Sequence, residues 1–268
     1  MRCTNFLIIA HRGASYDAPE NTLAAINLAW ERDAEAVEID IHLTKDNKIV
    51  VIHDENTWHT AGKLSWVKNQ TLEKLKRLDV GKYKGKKWAC ERIPTLKEVL
   101  ETVPHNKKLI IEIKSSSEIL PVLEADLKNS QLSLEQVVFI GFDLDTMTDI
   151  KKNFSQNEVL WIHELEKDKK NKRWKFDIDE LINKSQQAGL NGLNIWPGEV
   201  INQAVIKKVK AANLKLYVWT INDPVEAKRL LQIGVDGITT DRPQWLKVKL
   251  QELITKARRT ELVRPSIK

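Results

Sequence analysis

Ionisable side chains stand inside or at the ends of apolar runs near the start of this 268-residue chain. The segment "IIAHRGASYDAPENTLAAINLAWERDAEAVEIDIHLTKDNKIVVIHDE", residues 8–55, contains His11, Glu38, Asp40 and His53 in such positions. A charged group in a buried strand is costly unless it is paired with another charge or bound to a metal ion. Their positions therefore indicate a site with its own chemistry.

Three further residues belong to the same pattern. Arg12 follows His11, and Glu112 and Lys114 close the apolar run "LIIEIK". Carboxylates at close range demand a cation, and all-oxygen ligation suits Mg²⁺, Ca²⁺ or Mn²⁺ rather than zinc. Arg and Lys suit a substrate phosphate. Histidine, with an ordinary pKa of about 6.5, suits general acid and base roles. The combination predicts cleavage of a phosphoric ester.

Each residue taken alone has a structural alternative. Asp40 is also placed to be a salt-bridge partner of Arg12, and Glu112 and Lys114 can pair with each other at a strand end. His11 can be a core histidine bonded to a carbonyl. The catalytic interpretation depends on all of these residues meeting at one place, which is a question of fold.

Short apolar runs alternate with amphipathic segments along the chain. We predict strands at 6–10, 36–43, 109–113, 137–141, 158–162, 192–196, 214–219 and 237–240. We predict helices at 22–32, 95–103, 118–129, 144–153, 177–188, 200–212, 224–233 and 243–257. In "NDPVEAKRLL" Asp223 is the expected N-cap and Pro224 the first helical residue.

Eight strands, each followed by a helix, predict an α/β fold of the TIM (β/α)8 barrel type, with residues 1–268 as one domain. The alternative is an open doubly wound sheet, which usually has a Gly-rich phosphate loop after its first strand. The first strand here ends in "AHRGAS", with one glycine. In a barrel, the carboxyl ends of all strands meet at one mouth, and the candidate residues lie at such ends.

The segment "AVEIDIHLTKDNKIVVIHD" predicts a β-hairpin turning at Asp46-Asn47. A two-residue loop would place Asp40 opposite His53, and Glu38 shares a face with Asp40 because residues two apart in a strand point the same way. A slip of one residue would undo this grouping. Residues 54–94 predict an irregular insertion with one helix at 71–78, at the active-site face of the barrel.

Composition is ordinary for a globular protein, and the net charge of +6 is partly collected in "GKYKGKK" at 81–87, "EKDKKNKRWK" at 166–175 and the C-terminal tail. Such patches favour anionic partners or are solvated faces, and we expect the latter. Two isolated cysteines fit a reducing compartment. We find no signal-peptide pattern or membrane span, although a leader already removed would leave no trace, and expect a cytoplasmic protein.

Motifs of other enzyme classes are absent from the sequence. There is no P-loop, G-x-G-x-x-G, G-x-S-x-G, C-x-x-C or H-E-x-x-H. Their absence argues against nucleotide binding, serine hydrolysis and zinc proteolysis.

Seven separated motifs give the chain a resemblance to the glycerophosphodiester phosphodiesterase family. They are "HRG-x5-PENT", "EIDIHLTKD", "VVIHD", "IPTLKEVL", "IEIK", "YVWTIND" and "GVDGITTDRP", spread over residues 7–243. The resemblance implies a TIM barrel with a small insertion after the second strand. It implies metal-dependent hydrolysis of deacylated phospholipids such as glycerophosphocholine to sn-glycerol 3-phosphate and an alcohol.

Matched motif by motif, the resemblance implies a role for each candidate residue. Glu38, Asp40 and Glu112 would hold one divalent cation, Mg²⁺ or Ca²⁺, with Mn²⁺ also compatible. The other roles would be an acid/base pair (His11 and His53), phosphate ligands (Arg12 and Lys114), and supporting contacts to Arg12 or the metal ligands (Glu20 and Asn21 of "PENT"). In the mechanism usually drawn for the family, the glycerol 2-hydroxyl attacks phosphorus, and water then opens the cyclic phosphate.

Some assignments stay open at this point. Glu20 and Asn21 are equally placed to cap the helix at 22–32. Trp219, at the end of the seventh predicted strand, would form an apolar wall for the glycerol or the head group, or would be ordinary barrel packing. Gly141-Phe142-Asp143, Trp58-His59-Thr60 and Trp196-Pro197 depart from the family pattern, so the head-group preference is undetermined.

Three other functions compete with phosphodiester hydrolysis of this kind. A lysophospholipase D would act on lipids that keep one acyl chain, and the Trp-rich insertion favours it. A non-catalytic binding protein on the same scaffold is disfavoured by the intact His, Asp and Glu set. Nucleic-acid binding through the basic patches is the weakest, and we expect a small-molecule substrate and no nucleic acid. The oligomeric state is undetermined.

Overall fold

Eight parallel strands close into a barrel in the computed structural model, which describes residues 6–167, 174–175, 177–196 and 200–262. The strands are β1 (Leu7–His11), β2 (Ala36–Leu43), β3 (Ile49–Val51), β4 (Lys108–Ile113), β5 (Val137–Gly141), β6 (Glu158–His163), β7 (Glu166–Lys167), β8 (Trp174–Lys175), β9 (Gly192–Ile195), β10 (Lys215–Val218) and β11 (Gly237–Thr240). The barrel order is β1-β2-β4-β5-β6-β9-β10-β11, and β11 pairs back onto β1. β3 is antiparallel to β2, and β7 and β8 form a separate two-stranded ribbon.

Helices cover the outside of this barrel, apart from two short ones within residues 58–76. They are α1 (Leu23–Glu31), α2 (Trp58–Ala61), α3 (Leu72–Lys76), α4 (Leu96–Leu100), α5 (Leu120–Lys128), α6 (Leu144–Asn153), α7 (Ile178–Gln187), α8 (Gln203–Ala211), α9 (Pro224–Ile233) and α10 (Pro243–Leu262). Asp223 caps α9 and Pro224 is its first residue, as predicted from the sequence. No helix in the described part of the chain is both long and apolar enough to cross a bilayer.

The barrel confirms the predicted fold class, and all eight predicted strands form within one residue of their expected ends. The reason is that parallel strands here are buried on both faces, so they appear in the sequence as short continuous apolar runs. One apolar cluster fills the barrel interior and includes Ile9, Ile110, Ile140 and Ile162. A larger cluster lies between the strands and the surrounding helices.

The predicted hairpin register is wrong by one residue. β2 and β3 pair Ile41 with Val51 and Leu43 with Ile49, so Asp40 lies opposite Ile52 rather than His53. The turn has three residues instead of two, with Asn47 in the left-handed region at φ 53°. The Asp46 carboxylate accepts hydrogen bonds from the Thr44 hydroxyl (2.7 Å) and the Leu72 amide (3.0 Å). These contacts favour the longer turn because they fix the Asp46 side chain at the start of α3.

The insertion also differs from its prediction. It contains two short α-helices, α2 and α3, where one helix at 71–78 was expected. Its small core packs against β3 and the residue that follows it: Val50 and Ile52 contact a cluster completed by Val67, Leu75, Val80 and Ile93. The chain returns to β3 through a backbone hydrogen bond from Val51 to Pro94 (2.8 Å). The insertion therefore begins and ends beside the carboxyl end of β2, at the mouth of the barrel.

Candidate active site

Strand register brings the acidic residues of three strands together at the mouth. Glu38 is the direct neighbour of His11 in the β1–β2 ladder, and Asp40 is the direct neighbour of Glu112 in the β2–β4 ladder. Glu38 and Asp40 are two residues apart, so both point into the barrel. The parallel ladders therefore bring Glu38 and Asp40 next to His11 and Glu112, whereas the predicted hairpin register had placed Asp40 opposite His53.

The three carboxylates form a compact, buried cluster suited to a divalent cation. One oxygen from each of Glu38, Asp40 and Glu112 lies within 4.8 Å of the others. The three residues expose 8% or less of their surface. Among the described residues, Glu38 Oε1 has neither a hydrogen-bond donor nor a cation within ion-pair distance, whereas Asp40 Oδ1 and Glu112 Oε1 have only the Lys114 ammonium beside them. Buried oxygens without donors are expensive unless a cation satisfies them, and a set of hard oxygen ligands fits Mg²⁺, Ca²⁺ or Mn²⁺.

Proton affinities within the cluster are shifted strongly. Burial and the neighbouring carboxylates of Asp40 and Glu112 raise the pKa of Glu38 well above its ordinary value. Burial and Asp40 raise the pKa of Glu112 to about 7. For Asp40, burial acts in the same direction, but Lys114 and Arg12 outweigh it and hold the pKa of this carboxyl below its usual range. A bound divalent cation would favour the ionised form of all three.

Two cations border the carboxylates. Lys114 Nζ lies 2.5 Å from Glu112 Oε1 and 3.3 Å from Asp40 Oδ1. Arg12 Nε lies 3.3 Å from Asp40 Oδ2, and the Arg12 amide donates to Glu38 Oε2 (2.9 Å). The structural alternatives of the sequence, Asp40 with Arg12 and Glu112 with Lys114, are thus real contacts. They occur inside the cluster, where both Asp40 oxygens and Glu112 Oε1 face a cationic side chain.

Glu20 and Asn21 contact the cluster and do not cap the following helix. Glu20 Oε1 accepts from Arg12 Nη1 (2.8 Å), and Asn21 Nδ2 donates to Asp40 Oδ2 (2.8 Å) while its oxygen accepts from the Asp40 amide (3.2 Å). The N-cap of α1 is Thr22, whose hydroxyl accepts from the Ala25 amide. The helix-capping alternative is therefore wrong for both residues.

His11 has a carboxylate partner that the sequence reasoning did not single out. Its Nδ1 lies 2.7 Å from Asp241 Oδ1. The Asp241 carboxylate also accepts from the Ser15 hydroxyl (3.2 Å) and from Asn222 Nδ2 (2.7 Å). Although burial opposes it, the His11 hydrogen bond lowers the pKa of Asp241 to about 2. The position directly after β11, the strand beside β1, was the available signal for this residue.

His53 reaches the mouth by a route the sequence did not indicate. β3 ends at Val51 and the chain bends at His53, so strand alternation no longer decides where its side chain points. His53 Nδ1 lies 2.7 Å from Asp54 Oδ1, and the His53 carbonyl lies 3.0 Å from His42 Nε2. Burial lowers the pKa of His53, although the nearby Asp40 carboxylate opposes this shift. His53 is therefore suited to accept a proton at neutral pH.

A cavity of about 320 Å³ contains the histidines, both cations, Glu38 and Glu112. The rest of its wall comes from β5, β6, β9, β11 and the residues that follow β5, β6 and β10, and consists of Ile140, Phe142, Ile162, Glu164, Asn194, Trp219 and Thr239. Trp219 thus lines the cavity, as the sequence suggested, and its ring packs edge-on against Phe142 with centroids 6.0 Å apart. Glu164 and Asn194 were not anticipated. Pro197, which departs from the family pattern in the sequence, lies outside the described residues.

Comparison with protein families gives one match that spans this whole arrangement. Residues 11–245 match the family model described as the glycerophosphoryl diester phosphodiesterase family. The match includes all three carboxylates of the cluster, both histidines and Asp241.

Individual relatives agree with the family match. The chain is 34% identical over 244 residues to a glycerophosphodiester phosphodiesterase of Caldanaerobacter subterraneus, covering 90% of this chain and 96% of the relative. It is 27% identical over 270 residues to a human lysophospholipase D, covering 89% and 84% of the two chains. An Oleispira antarctica phosphodiesterase, solved with the product sn-glycerol-3-phosphate, superposes with a TM-score of 0.79 at 27% identity and covers 91% of this chain and 96% of its own.

Proposed function

Because this chain belongs to the glycerophosphoryl diester phosphodiesterase family, we propose that it hydrolyses glycerophosphodiesters with the help of a divalent cation, giving sn-glycerol 3-phosphate and an alcohol. The product bound to the Oleispira antarctica relative supports glycerol 3-phosphate as the common product. The observation that carries the metal requirement is the cluster of three buried carboxylates, which bring one oxygen each within 4.8 Å of the others and leave Glu38 Oε1 without a donor.

Glu38, Asp40 and Glu112 would hold the cation, which would neutralise charge on the phosphate and acidify a nearby hydroxyl. Arg12 and Lys114 would bind phosphate oxygens, since both border the carboxylates and line the same cavity. Developing negative charge on the phosphorane oxygens would be stabilised by these fixed cations in a partly dehydrated site. Glu20 would hold the Arg12 guanidinium, and Asn21 the Asp40 carboxylate, in the required orientation.

The two histidines divide the proton transfers between them. His53, whose pKa is lowered by burial, would take the proton of the glycerol 2-hydroxyl as its oxygen attacks phosphorus. The bond to the head-group oxygen breaks, and His11, whose Nδ1 is held by the Asp241 carboxylate, would give that oxygen a proton. In the second step the roles reverse: His11 takes a proton from water, which opens the cyclic phosphate, and His53 protonates the 2-hydroxyl oxygen.

A substrate with a better leaving group separates these roles. The p-nitrophenyl ester of glycerol phosphate needs no proton for its leaving oxygen, so His11→Ala should lose much less of its release of p-nitrophenol than of its activity on glycerophosphocholine. His53→Ala should be slow on both, with losses of about 100-fold or more for a missing general base. Equal losses for the two variants on both substrates would contradict the assignment.

The wall formed by Phe142, Trp219 and Glu164 would receive the head group. Aromatic rings and a carboxylate together attract an organic cation. Glu164 is an exposed carboxylate that lines the cavity, and Asn194 Oδ1 is buried without a donor among the described residues. These features favour cationic head groups such as ethanolamine or choline over neutral ones.

A lysophospholipase D activity is the second candidate function. It is supported by the human relative of that name and by exposed apolar residues of the insertion, which would face an acyl chain or a lipid surface. Faster release of choline from lysophosphatidylcholine than from glycerophosphocholine would favour this candidate over the first.

The proposed function is tested by measuring glycerol 3-phosphate release from several glycerophosphodiesters after EDTA treatment and after adding back Mg²⁺, Ca²⁺ or Mn²⁺. Release should stop with EDTA and return with at least one of these ions. Glu112→Gln should need a higher metal concentration for half-maximal rate, because one ligand charge is lost. Release that ignores EDTA, or no release from any glycerophosphodiester, would overturn the proposal.

A further inference from the structure

The insertion, residues 54–94, carries nearly all of the net charge of the chain. It contains eight Lys and two Arg against two Asp and three Glu, a net charge of +5 out of +6 for all 268 residues. Residues 166–175 and the C-terminal tail are also basic, but acidic residues elsewhere in the chain offset their excess. The insertion places its excess at the mouth of the barrel, where it can attract an anionic partner.

Four large apolar or aromatic side chains of the same insertion are exposed. Trp58 exposes 64% of its surface, Leu64 57%, Trp66 40% and Tyr83 40%. Large apolar residues gathered in one region of a surface often mark an interaction site. The core of the insertion is complete without them, since Val67, Leu75, Val80 and Ile93 fill it.

Local contacts hold these side chains on one part of the surface. Asn56 and Trp66 form an antiparallel bridge that is extended by a hydrogen bond from the Thr57 amide to the Ser65 carbonyl (3.1 Å). Trp58 follows one arm of this short ribbon and Leu64 precedes the other. The His59 ring packs against Tyr83 with centroids 5.5 Å apart, so the lysine-rich turn at residues 81–87, which contains Tyr83, lies against α2.

Hydrogen bonds to Asp79 hold the lysine-rich turn in place. The Asp79 carboxylate accepts hydrogen bonds from the amides of Gly81 (2.9 Å), Lys82 (3.0 Å) and Cys90 (2.9 Å). Gly81 is required for this packing, because a Cβ there would lie 1.8 Å from the Trp88 carbonyl oxygen. The turn therefore presents Lys82, Lys86 and Lys87 to solvent from a defined backbone.

The same turn contacts the candidate active site. The Tyr83 hydroxyl accepts a hydrogen bond from the Glu20 amide (3.2 Å), and the Glu20 carboxylate binds Arg12. A partner seated on the insertion would therefore lie next to the mouth of the cavity.

We infer that Trp58, Leu64, Trp66 and Tyr83, together with Lys82, Lys86 and Lys87, form a docking surface for a lipid bilayer rich in anionic head groups. We call these seven residues the insertion surface. Trp and Tyr partition into the interfacial layer of a bilayer, and adjacent lysines are attracted to its negative surface potential. Binding would hold the mouth of the barrel close to the membrane, where phospholipid breakdown products are released.

Side-chain chemistry favours a bilayer over a nucleic acid. Lysines would suit either polyanion, and tryptophan and tyrosine can stack on bases. Leu64, more than half exposed, has no favourable place on a phosphate backbone, whereas it gains by entering the acyl boundary of a membrane. The occupant that satisfies both the apolar and the basic members of the insertion surface is an anionic bilayer.

The test is co-sedimentation of the whole chain with vesicles of phosphatidylcholine alone and with vesicles that also contain phosphatidylglycerol. The wild type should bind the anionic vesicles at least about tenfold more tightly, and the difference should shrink at high salt. Trp58→Ala/Trp66→Ala and Lys86→Glu/Lys87→Glu should each weaken binding to anionic vesicles by about tenfold or more.

Lys128→Glu/Lys207→Glu is the matched control, because it makes the same charge change on exposed residues of α5 and α8. It should retain wild-type binding. Thermal unfolding checks that each variant is folded. If the tryptophan variant does not fold, the result for the lysine variant decides the test. Failure of the wild type to bind anionic vesicles, equal losses in the control, or binding to duplex DNA that exceeds vesicle binding would overturn the inference. Its outcome does not depend on whether the chain hydrolyses any substrate.

Discussion

The contact between His11 and Asp241 allows a prediction that depends on single atoms. Asp241→Asn preserves the size and shape of the side chain and removes one acceptor. In the structure, the Asp241 carboxylate faces His11 Nδ1 at 2.7 Å, the Ser15 hydroxyl at 3.2 Å and Asn222 Nδ2 at 2.7 Å. An amide has one acceptor oxygen, so its NH₂ group must face either Asn222 or the pair of His11 and Ser15.

Both arrangements are unfavourable, and both remove the anionic partner of His11. If the amide oxygen keeps His11, two NH₂ groups oppose each other at Asn222. If the NH₂ group faces His11, Nδ1 must become an acceptor and the ring proton moves to Nε2, the wrong tautomer for a carboxylate-oriented histidine. Loss of a charge-assisted hydrogen bond costs about 1.5–3 kcal/mol, or roughly 10- to 150-fold in rate. A wrong tautomer in the Ser-His-Asp triad costs about 10⁴-fold.

We therefore expect Asp241→Asn to lower kcat by about 100-fold or more, with KM changed by less than about threefold, since an interaction made mainly in the transition state is lost. The assay is glycerol 3-phosphate release from glycerophosphocholine, with thermal unfolding measured in parallel. Asp145→Asn, on the exposed first turn of α6, is the matched control and should be silent. A folded Asp241→Asn variant that keeps more than a third of the wild-type kcat would refute the reasoning.

Three further predictions concern Asn21, Glu112 and Glu164. Asn21→Ala removes two contacts to Asp40 from a residue at φ 56° and should lower the free energy of unfolding by about 3 kcal/mol in urea titrations. The control Asn47→Ala, also left-handed at φ 53°, should lower it by only about 1 kcal/mol, and equal losses would contradict the role of Asn21. Because the pKa of Glu112 is raised to about 7, a metal ion must displace a proton from this carboxyl below that pH. Calorimetry should therefore find metal binding at least about tenfold weaker at pH 6 than at pH 8, and an affinity that does not change with pH would argue against the cluster as the metal site. Glu164→Gln should lower the ratio of kcat/KM for glycerophosphoethanolamine to kcat/KM for glycerophosphoglycerol by about tenfold, mainly through KM. The control Glu31→Gln, at an exposed residue, should leave this ratio unchanged, and an equal loss on both substrates would assign Glu164 to the glycerol end.

The barrel was predictable because its strands are set by local composition. Runs such as "AVEIDIHL" and "VVFIG" are buried on both faces and need no tertiary information to be recognised. The hairpin was not fully predictable, because the side chain of Asp46 bonds to Leu72 in the insertion and shifts the register by one residue. A contact between distant segments of this kind leaves no periodic signal in either of them.

The candidate site divides along the same line. Its acids and cations follow from strand ends and from the family resemblance, and the structure gathers them. Asp241, Glu164 and Asn194 were missed because their relevance depends on which strands are neighbours: β11 beside β1, and β6 beside β9. Barrel closure makes Asp241 a neighbour of His11 although 230 positions separate them in the chain. That relation exists only in the folded protein.

The central claim is that Glu38, Asp40 and Glu112 hold one divalent cation that hydrolysis requires. The most direct measurement removes all metal from the protein, adds back Mg²⁺, Ca²⁺ or Mn²⁺ in steps, and records bound ions per chain and glycerol 3-phosphate release in the same samples. We predict that activity is absent at zero occupancy and rises in proportion to bound metal until about one ion per chain is reached. Full activity in the metal-free protein, or a Glu38→Gln variant that binds metal as tightly as the wild type, would contradict the account.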